Sequence, residues 1–362
     1  MHDPQRWGLP PQAIAQLGKR LYQFWLRFRD CFKTRTGDTS QRAYHYLRGQ
    51  LTMDAERNFA NMERTLSGED GQSLQHFMSN SPWSGPEVFQ QIQREIKASQ
   101  VPTQGSTLIL DESADEKAGT HNAGASRQYN GRMGKVDLCR VDTCLFYANA
   151  NLGLWTMVDG ELFLPEEWFG EDFAQRRKEL GIPEPRQFET KSQLGLKMVK
   201  RAKANGLPFE LLACDTFYGR DSQLRADLAA QGVLYAAQVP GDTRVYLKEP
   251  KVGVPRRRSQ RGRRPTRPKV RRSDKPVEVR ALAQRPRTQW HQVQVRHTER
   301  GLLQEEFAVT PVWTVAQGQQ PRVEWLVIRR DSSGDCTYTL LNAPLDASPQ
   351  SLIHWSCHRY FC

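Results

Sequence analysis

Two short apolar runs, Ser106-Thr-Leu-Ile-Leu-Asp111 and Phe209-Glu-Leu-Leu-Ala-Cys-Asp215, each stop on an aspartate, and they constrain this 362-residue chain more than any other feature. An apolar run of this length, bounded by polar residues, suits a buried strand. Between the two runs, Val136–Asn149 and Leu154–Leu164 are strand-like, with Asp159-Gly160 placed to bend the second. Glu171–Leu180 and Thr190–Asn205 carry a helical pattern, and Thr190 and Gly206 are suited to cap the start and close the end of the latter. Asp221–Gln231 is helix-like and Leu234–Val239 strand-like. Strands and helices in this order imply an α/β layer, overall α/β (α+β). Both acids then fall at the C-terminal ends of strands, where open α/β sheets usually carry their sites.

The flanking segments have a different texture. Residues 1–100 read as a separate helical domain without a strand pattern. Pro11–Phe32 spaces Ile14, Leu17, Leu21, Phe24 and Phe28 helically. Tyr44–Leu66 and Pro86–Ala98 do likewise, with turns at Ser67–Gly71 and Ser79–Gly85. Residues 101–240 form the α/β core, and residues 241–345 begin with a charged loop and turn β-rich. Within Arg256–Arg272 ten of seventeen residues are basic (Arg256, Arg257, Arg258, Arg261, Arg263, Arg264, Arg267, Lys269, Arg271 and Arg272) and none is acidic. Such a segment cannot be core, and it reads as a flexible loop. Strand-like runs follow at Trp290–Arg296, Glu306–Trp313, Val323–Ile328 and Thr337–Leu341, and residues 346–362 begin a last helix.

The net charge of +12 favours a polyanionic partner, most commonly nucleic acid. Seven scattered cysteines without a CxxC pattern fit a reducing cytoplasm better than a disulfide framework or structural zinc. No signal peptide and no run of about 18 apolar residues is visible, so no membrane partner is expected. His354 and His358, at i and i+4, have a zinc-capable spacing, but no partner pair stands elsewhere, so they read as surface or core histidines.

A strand ending in aspartate is often only a turn or a helix cap. The alternative is chemical: hard cations such as Mg²⁺ prefer oxygen ligands, and a two-metal site needs carboxylates converging from separate segments on ions about 4 Å apart. Asp111 and Asp215 meet that need if their strands are neighbours. Glu112 is the poorer ligand, since adjacent strand residues point to opposite faces.

Longer blocks around these acids resemble a known family. Leu110-Asp-Glu-Ser113, Gly124-Ala-Ser-Arg-Gln-Tyr-Asn-Gly131 and Gly134-Lys-Val-Asp137 resemble the first catalytic block of bacterial insertion-sequence transposases of the DDE type. Asp159-Gly-Glu-Leu-Phe-Leu-Pro-Glu-Glu-Trp168 is similar to the strand that follows it, and Ala213-Cys-Asp-Thr-Phe-Tyr-Gly-Arg-Asp221 to the second block. Tyr46-Leu-Arg-Gly49 and Leu74-Gln-His-Phe-Met-Ser-Asn-Ser-Pro-Trp83 extend the likeness over nearly the whole chain. Asp-Glu-Ser in place of a paired Asp-Asp, Ala114-Asp-Glu-Lys-Ala118, and Ser356 where some relatives carry tyrosine depart from the pattern.

The resemblance implies an RNase H-like core with Asp111 and Asp215 as catalytic and metal-holding residues. It implies two Mg²⁺ ions, with Mn²⁺ able to substitute, and double-stranded DNA (element ends and target) as partner. It also implies a homodimer in the synapse and residence at the bacterial nucleoid. Residues 241–345 correspond to an inserted segment that precedes a third acid, a glutamate one helical turn after an arginine. Arg359 matches that arginine, and the glutamate would be residue 363, past the last residue here. The unextended chain is therefore expected to bind DNA but cut it poorly. Arg127, Arg132 and Lys135 are candidates to touch the cut strand, or structural cations. The loop arginines from Arg256 to Arg272 are phosphate contacts or a solvated charge run. Two other readings stay open: a non-catalytic DNA-binding remnant or inhibitor, and a host RNase H-like nuclease.

Overall fold

The computed structural model describes residues 15–53, 56–66, 71–119, 121–255, 264, 266–298 and 301–361, without the side chains of 295–298, 301–303, 360 and 361. The chain divides into two compact units, Met1–Glu95 and Ile96–Cys362. No helix among the described residues is long and apolar enough to cross a membrane.

The first unit holds helices α1 (Leu17–Leu26), α2 (Ser40–Thr52), α3 (Phe59–Leu66) and α4 (Gln72–Asn80), and most of α5 (Gly85–Ala98). Three expectations change here. The helical stretch expected over Tyr44–Leu66 is broken after Thr52, where Met53 turns extended. Lys33–Thr34 pairs with Gly37–Asp38 as a small antiparallel ladder that the helical pattern hides. Spacing alone also misplaces part of the inward face of α1: Trp25 is buried and Leu17 and Phe24 are exposed, whereas Phe28, just past the helix, is buried as its spacing suggests. Trp25 packs against Tyr22 and Tyr44, ring contacts that a count of aliphatic spacing does not anticipate.

The second unit is built on one ten-stranded sheet. Its core strands are β1 (Ser106–Glu116), β2 (Ser126–Asn130), β3 (Lys135–Asn149), β4 (Leu154–Leu162), β5 (Leu211–Cys214) and β6 (Tyr235–Val239). β3 lies antiparallel between β1 and β4, while β5 and β6 run parallel to β1 on its other side. The order β4-β3-β1-β5-β6, one antiparallel strand among parallel neighbours, is that of the RNase H-like core. Helices α6 (Ala174–Glu179) and α7 (Lys191–Ala204) separate β4 from β5, and the one-turn α8 (Thr216–Gly219) and α9 (Ser222–Ala230) separate β5 from β6.

Local chemistry explains these elements. Thr190 and Gln193 form a capping box at the start of α7, which satisfies donors that a helix N-terminus otherwise leaves open. Gly206, just past α7, takes a left-handed φ of 72°. Opposite Leu145 and Phe146 the β4 register slips, leaving Val158 as the extra residue beside Asp159-Gly160. The first five residues of β1 and all of β5 are buried, and each fully buried leucine there contributes roughly 1.5–3 kcal/mol.

β2, polar along most of its length, has no apolar signature in the sequence. β1 does not stop at Asp111, as expected, but continues to Glu116 because β3 keeps pairing with it. Asp111 instead marks where the parallel partner β5 has ended.

The β-rich segment is continuous with this core. Strands β7 (His291–Thr298), β8 (Gly301–Thr314), β9 (Arg322–Arg330) and β10 (Cys336–Leu341) form an antiparallel run, and β10 pairs with β6. The short helix α10 (Val279–Ala283) packs with this addition through Val279 and Leu282. In the basic segment, Lys269–Val270 pairs with Val252–Gly253, so the loop closes on a small ladder. Arg256, Arg257, Arg258, Arg261 and Arg263 lie outside the described residues. The last helix, α11 (Pro349–Cys357), starts on a Ser348 cap and tightens into a 3₁₀ turn over His358–Phe361, where a single helix was expected.

Candidate active site

Side-chain alternation sorts the site. Thr107, Ile109 and Asp111 share one face of β1, and Leu108, Leu110 and Glu112 the other. α7 covers the second face: a Cβ on Gly195 would come within 2.6 Å of a Leu110 methyl, so the helix sits close only because position 195 is glycine. Lys191, at the start of α7, pairs with Glu112 and lies 5.1 Å from the Phe217 ring centroid. Glu112 is thus engaged on the face opposite Asp111.

The other face carries the two aspartates. Leu110 and Cys214 are the last partners of the parallel β1–β5 ladder, so Asp111 and Asp215 leave neighbouring strands side by side. Asp215 caps α8, its Oδ1 accepting from the backbone N–H of Phe217 at 3.0 Å and Tyr218 at 3.3 Å. Burial raises the Asp215 pKa above the usual carboxylate range, and the Asp111 charge pushes the same way; the Tyr218 N–H and Arg359 oppose them. Gly219 ends α8 against β6, where a Cβ would fall 1.8 Å from the Gln238 carbonyl oxygen.

Arg359 reaches this centre from the 3₁₀ turn after α11. It donates to Asp111 Oδ2 at 3.3 Å and to Gln238 Oε1 at 2.8 Å. Its neighbour His358 is buried, with Nδ1 2.5 Å from Thr107 Oγ1, and desolvation holds its pKa down at about 4. His354, one turn earlier, is exposed with its ring 4.6 Å from His358. Burial pushes the thiols of Cys144 and Cys214, beside the aspartates, up to about 12, so they stay protonated.

Two carboxylates on adjacent strands, one desolvated and each in the field of the other, form a donor set that suits a hard divalent cation. Among the described residues no group of three His, Cys, Asp or Glu side chains gathers around one point. Glu305 and Glu306 are held by Arg329 and Arg330, and Glu324 is buried.

The other candidate cations stand elsewhere. Arg127, Arg132 and Lys135 belong to the β2–β3 hairpin, while Asp111 pairs with Cys144. At about 3.3 Å per residue, Lys135 lies roughly 30 Å along β3 from that point. Arg132 faces Glu116 at 3.5 Å and Lys135 faces Asp137 at 2.8 Å. Arg264, Arg267, Arg271 and Arg272 are exposed, and none forms an ion pair among the described residues. Sequence reasoning missed the buried partners Arg225, Tyr235 and Glu324; Arg225 and Glu324 are 99 residues apart, and no local pattern joins them.

Residues 27–302 match the family described as DDE superfamily endonuclease. A probable transposase for insertion sequence element IS701 from Microchaete diplosiphon is 24% identical over 182 residues, 50% of this chain and 44% of that one. The chain therefore matches less than half the length of that relative. Among solved structures, piggyBac transposase in a synaptic complex with hairpin DNA aligns over 90% of this chain and 59% of that chain, with a TM-score of 0.38 and 12% identity.

Proposed function

Because the chain belongs to the DDE superfamily endonuclease family, we propose that it is an insertion-sequence transposase that cleaves and joins DNA at terminal inverted repeats. The observation that carries this reading is the placement of Asp111 and Asp215 side by side, each just past the last pair of the parallel β1–β5 ladder and in one shared field. These two side chains would hold Mg²⁺, or Mn²⁺ in its place. Bound there, the cations supply the charge that activates an attacking oxygen and steadies the leaving one. The residues of this chain prepare that chemistry. α8 orients Asp215 through its N–H groups and leaves the second carboxylate oxygen outside those bonds. Arg359 neutralises Asp111 until a cation or a DNA phosphate enters.

DNA is held in this reading by basic side chains. Arg264, Arg267, Arg271 and Arg272, with Arg256, Arg257, Arg258, Arg261 and Arg263 of the same segment, contact phosphates nonspecifically. The N-terminal helical unit contributes recognition of the ends, Arg127, Arg132 and Lys135 touch DNA away from the scissile bond, and two copies meet in the synapse.

A cleavage assay on end-bearing duplex DNA with Mg²⁺ tests the proposal. Asp111→Ala and Asp215→Ala should each lower cleavage on the order of 10³-fold, since a lost ligand forfeits several kcal/mol of charge stabilisation. Replacing Arg264, Arg267, Arg271 and Arg272 together by alanine should flatten the slope of log affinity against log salt by about 3–4. End-specific binding without any Asp215-dependent cleavage would instead indicate a non-catalytic DNA-binding protein. Cleavage of branched or hybrid substrates without preference for element ends would indicate a host nuclease.

A further inference from the structure

Glu324, on β9, is wholly buried, with its side chain 0% exposed. Its Oε1 accepts from Arg225 Nε at 3.0 Å and from the Tyr235 hydroxyl at 2.6 Å. Its Oε2 accepts from the Thr314 hydroxyl and faces Arg322 Nη2 at 3.4 Å. The charge of Arg225, with that of Arg322, holds the Glu324 carboxyl below the usual range in spite of its burial.

Arg225 does not stop at Glu324. From α9 its Nη1 donates to the carbonyl of Gly219. Gly219 is the last residue of the single turn that Asp215 caps, and its N–H donates to the Asp215 carbonyl at 2.7 Å. On its other side Gly219 is pressed against Gln238 with no room for a Cβ. The turn is thus fixed between β6 and one guanidinium.

A buried ion pair is a costly way to fill space, because desolvation takes back several kcal/mol per ion and an apolar group of similar volume serves packing as well. What an apolar group cannot do is hold a carbonyl in place. A lysine cannot do it here either, since the planar fork of arginine serves two acceptors in fixed directions and an ammonium does not.

We propose that Arg225, aimed by Glu324, is a positioning residue for Asp215: it anchors the Gly219 carbonyl and thereby sets the turn that presents the carboxylate. The antiparallel addition then does more than extend the sheet, since β9 supplies the counter-charge that aims the arginine. The inference rests on the proposed role of Asp215 in holding a divalent cation.

The test uses the whole chain and Mn²⁺ alone, titrated by electron paramagnetic resonance of the free ion, with Asp215→Asn defining the site. Arg225→Lys should weaken binding at that site about tenfold or more, the range seen when a residue that orients a ligand is lost. Glu324→Gln should weaken it in the same direction and serves if Arg225→Lys does not fold. Arg329→Lys is the control. Arg329 holds the buried Glu305 at 2.6 Å within the addition, so this change loosens a comparable pair and should leave Mn²⁺ affinity within about twofold. Equal binding by Arg225→Lys and the parent, or equal weakening by Arg329→Lys, overturns the inference. A second readout needs no metal: the Asp215 carboxyl ¹³C resonance should move in Arg225→Lys and stay in Arg329→Lys. If the parent binds no Mn²⁺ through Asp215, the metal reading fails, and this resonance alone decides whether Arg225 positions the turn.

Discussion

The carboxylate centre at Asp111 and Asp215 and the one at Glu324 belong to the same sheet, yet they are built on opposite terms. Glu324 has an arginine on each oxygen and two hydroxyl donors, and its pKa is lowered despite full burial. Asp215 is partly buried beside a second carboxylate, with two backbone N–H groups and the shared charge of Arg359, and its pKa is raised. One centre is balanced within the fold. The other has a single guanidinium, that of Arg359, for two carboxylates, and in the proposed reading a cation makes up the deficit.

The largest effect expected from this contrast is on stability. Glu324→Ala leaves Arg225 buried without its counter-charge and should cost about 3–5 kcal/mol, read from the denaturant midpoint of the purified chain. A cost under 1 kcal/mol would erase the distinction between the two centres.

Acid should expose a difference of comparable size. His358 beside Arg359 has a depressed folded pKa of about 4. Its neutral form therefore holds full stability above the ordinary histidine value of 6.5, and that stability falls away as pH drops from 6.5 towards 4. The loss amounts to about 3 kcal/mol at 1.36 kcal/mol per unit. Asp215 responds the other way: its raised pKa is a penalty present at neutral pH and relieved as pH falls through the folded value. Stability measured between pH 7 and 4 should fall in the parent and fall much less in His358→Gln.

Packing above the site comes next. Gly195→Ala should cost about 1–3 kcal/mol, because the new methyl must push a Leu110 side chain aside; thermal melts would read it. Smallest is Asp215→Asn, which removes a desolvated charge next to Asp111. Its effect on the midpoint should stay within about 1 kcal/mol and lean towards stabilisation, although it abolishes the proposed cation site. A loss as large as that of Glu324→Ala would mean that Asp215 is a structural group and not one held ready for a ligand.

How far these two centres can be read from the sequence differs for a physical reason. Asp111 and Asp215 each close an apolar run, and a buried apolar stretch that stops on an acid is visible in a window of a few residues. The capping box at Thr190 and Gln193 is local in the same way. The Glu324 centre draws Arg225, Tyr235, Thr314 and Arg322 from separate elements, and its burial exists only once β9 and β10 have been laid beside β6. β2 escaped notice because Ser126–Asn130 is mostly polar and is a strand only through its hairpin with β3. The inward turn of Trp25, in place of Leu17 and Phe24, depends on tertiary ring contacts that helical spacing cannot encode. Asp111 lies inside its strand and not at its end for a related reason, since antiparallel pairing with β3 outlasts parallel pairing with β5.

The register between β10 and β6, four consecutive pairs from Leu341–Ala236 to Tyr338–Val239, carries a thermodynamic consequence. Hydrogen bonding passes without a seam from the hairpin at one margin to the ladder at the other, so the added strands have no melting event of their own. Heating the second unit should give one calorimetric peak, with van't Hoff and calorimetric enthalpies that agree.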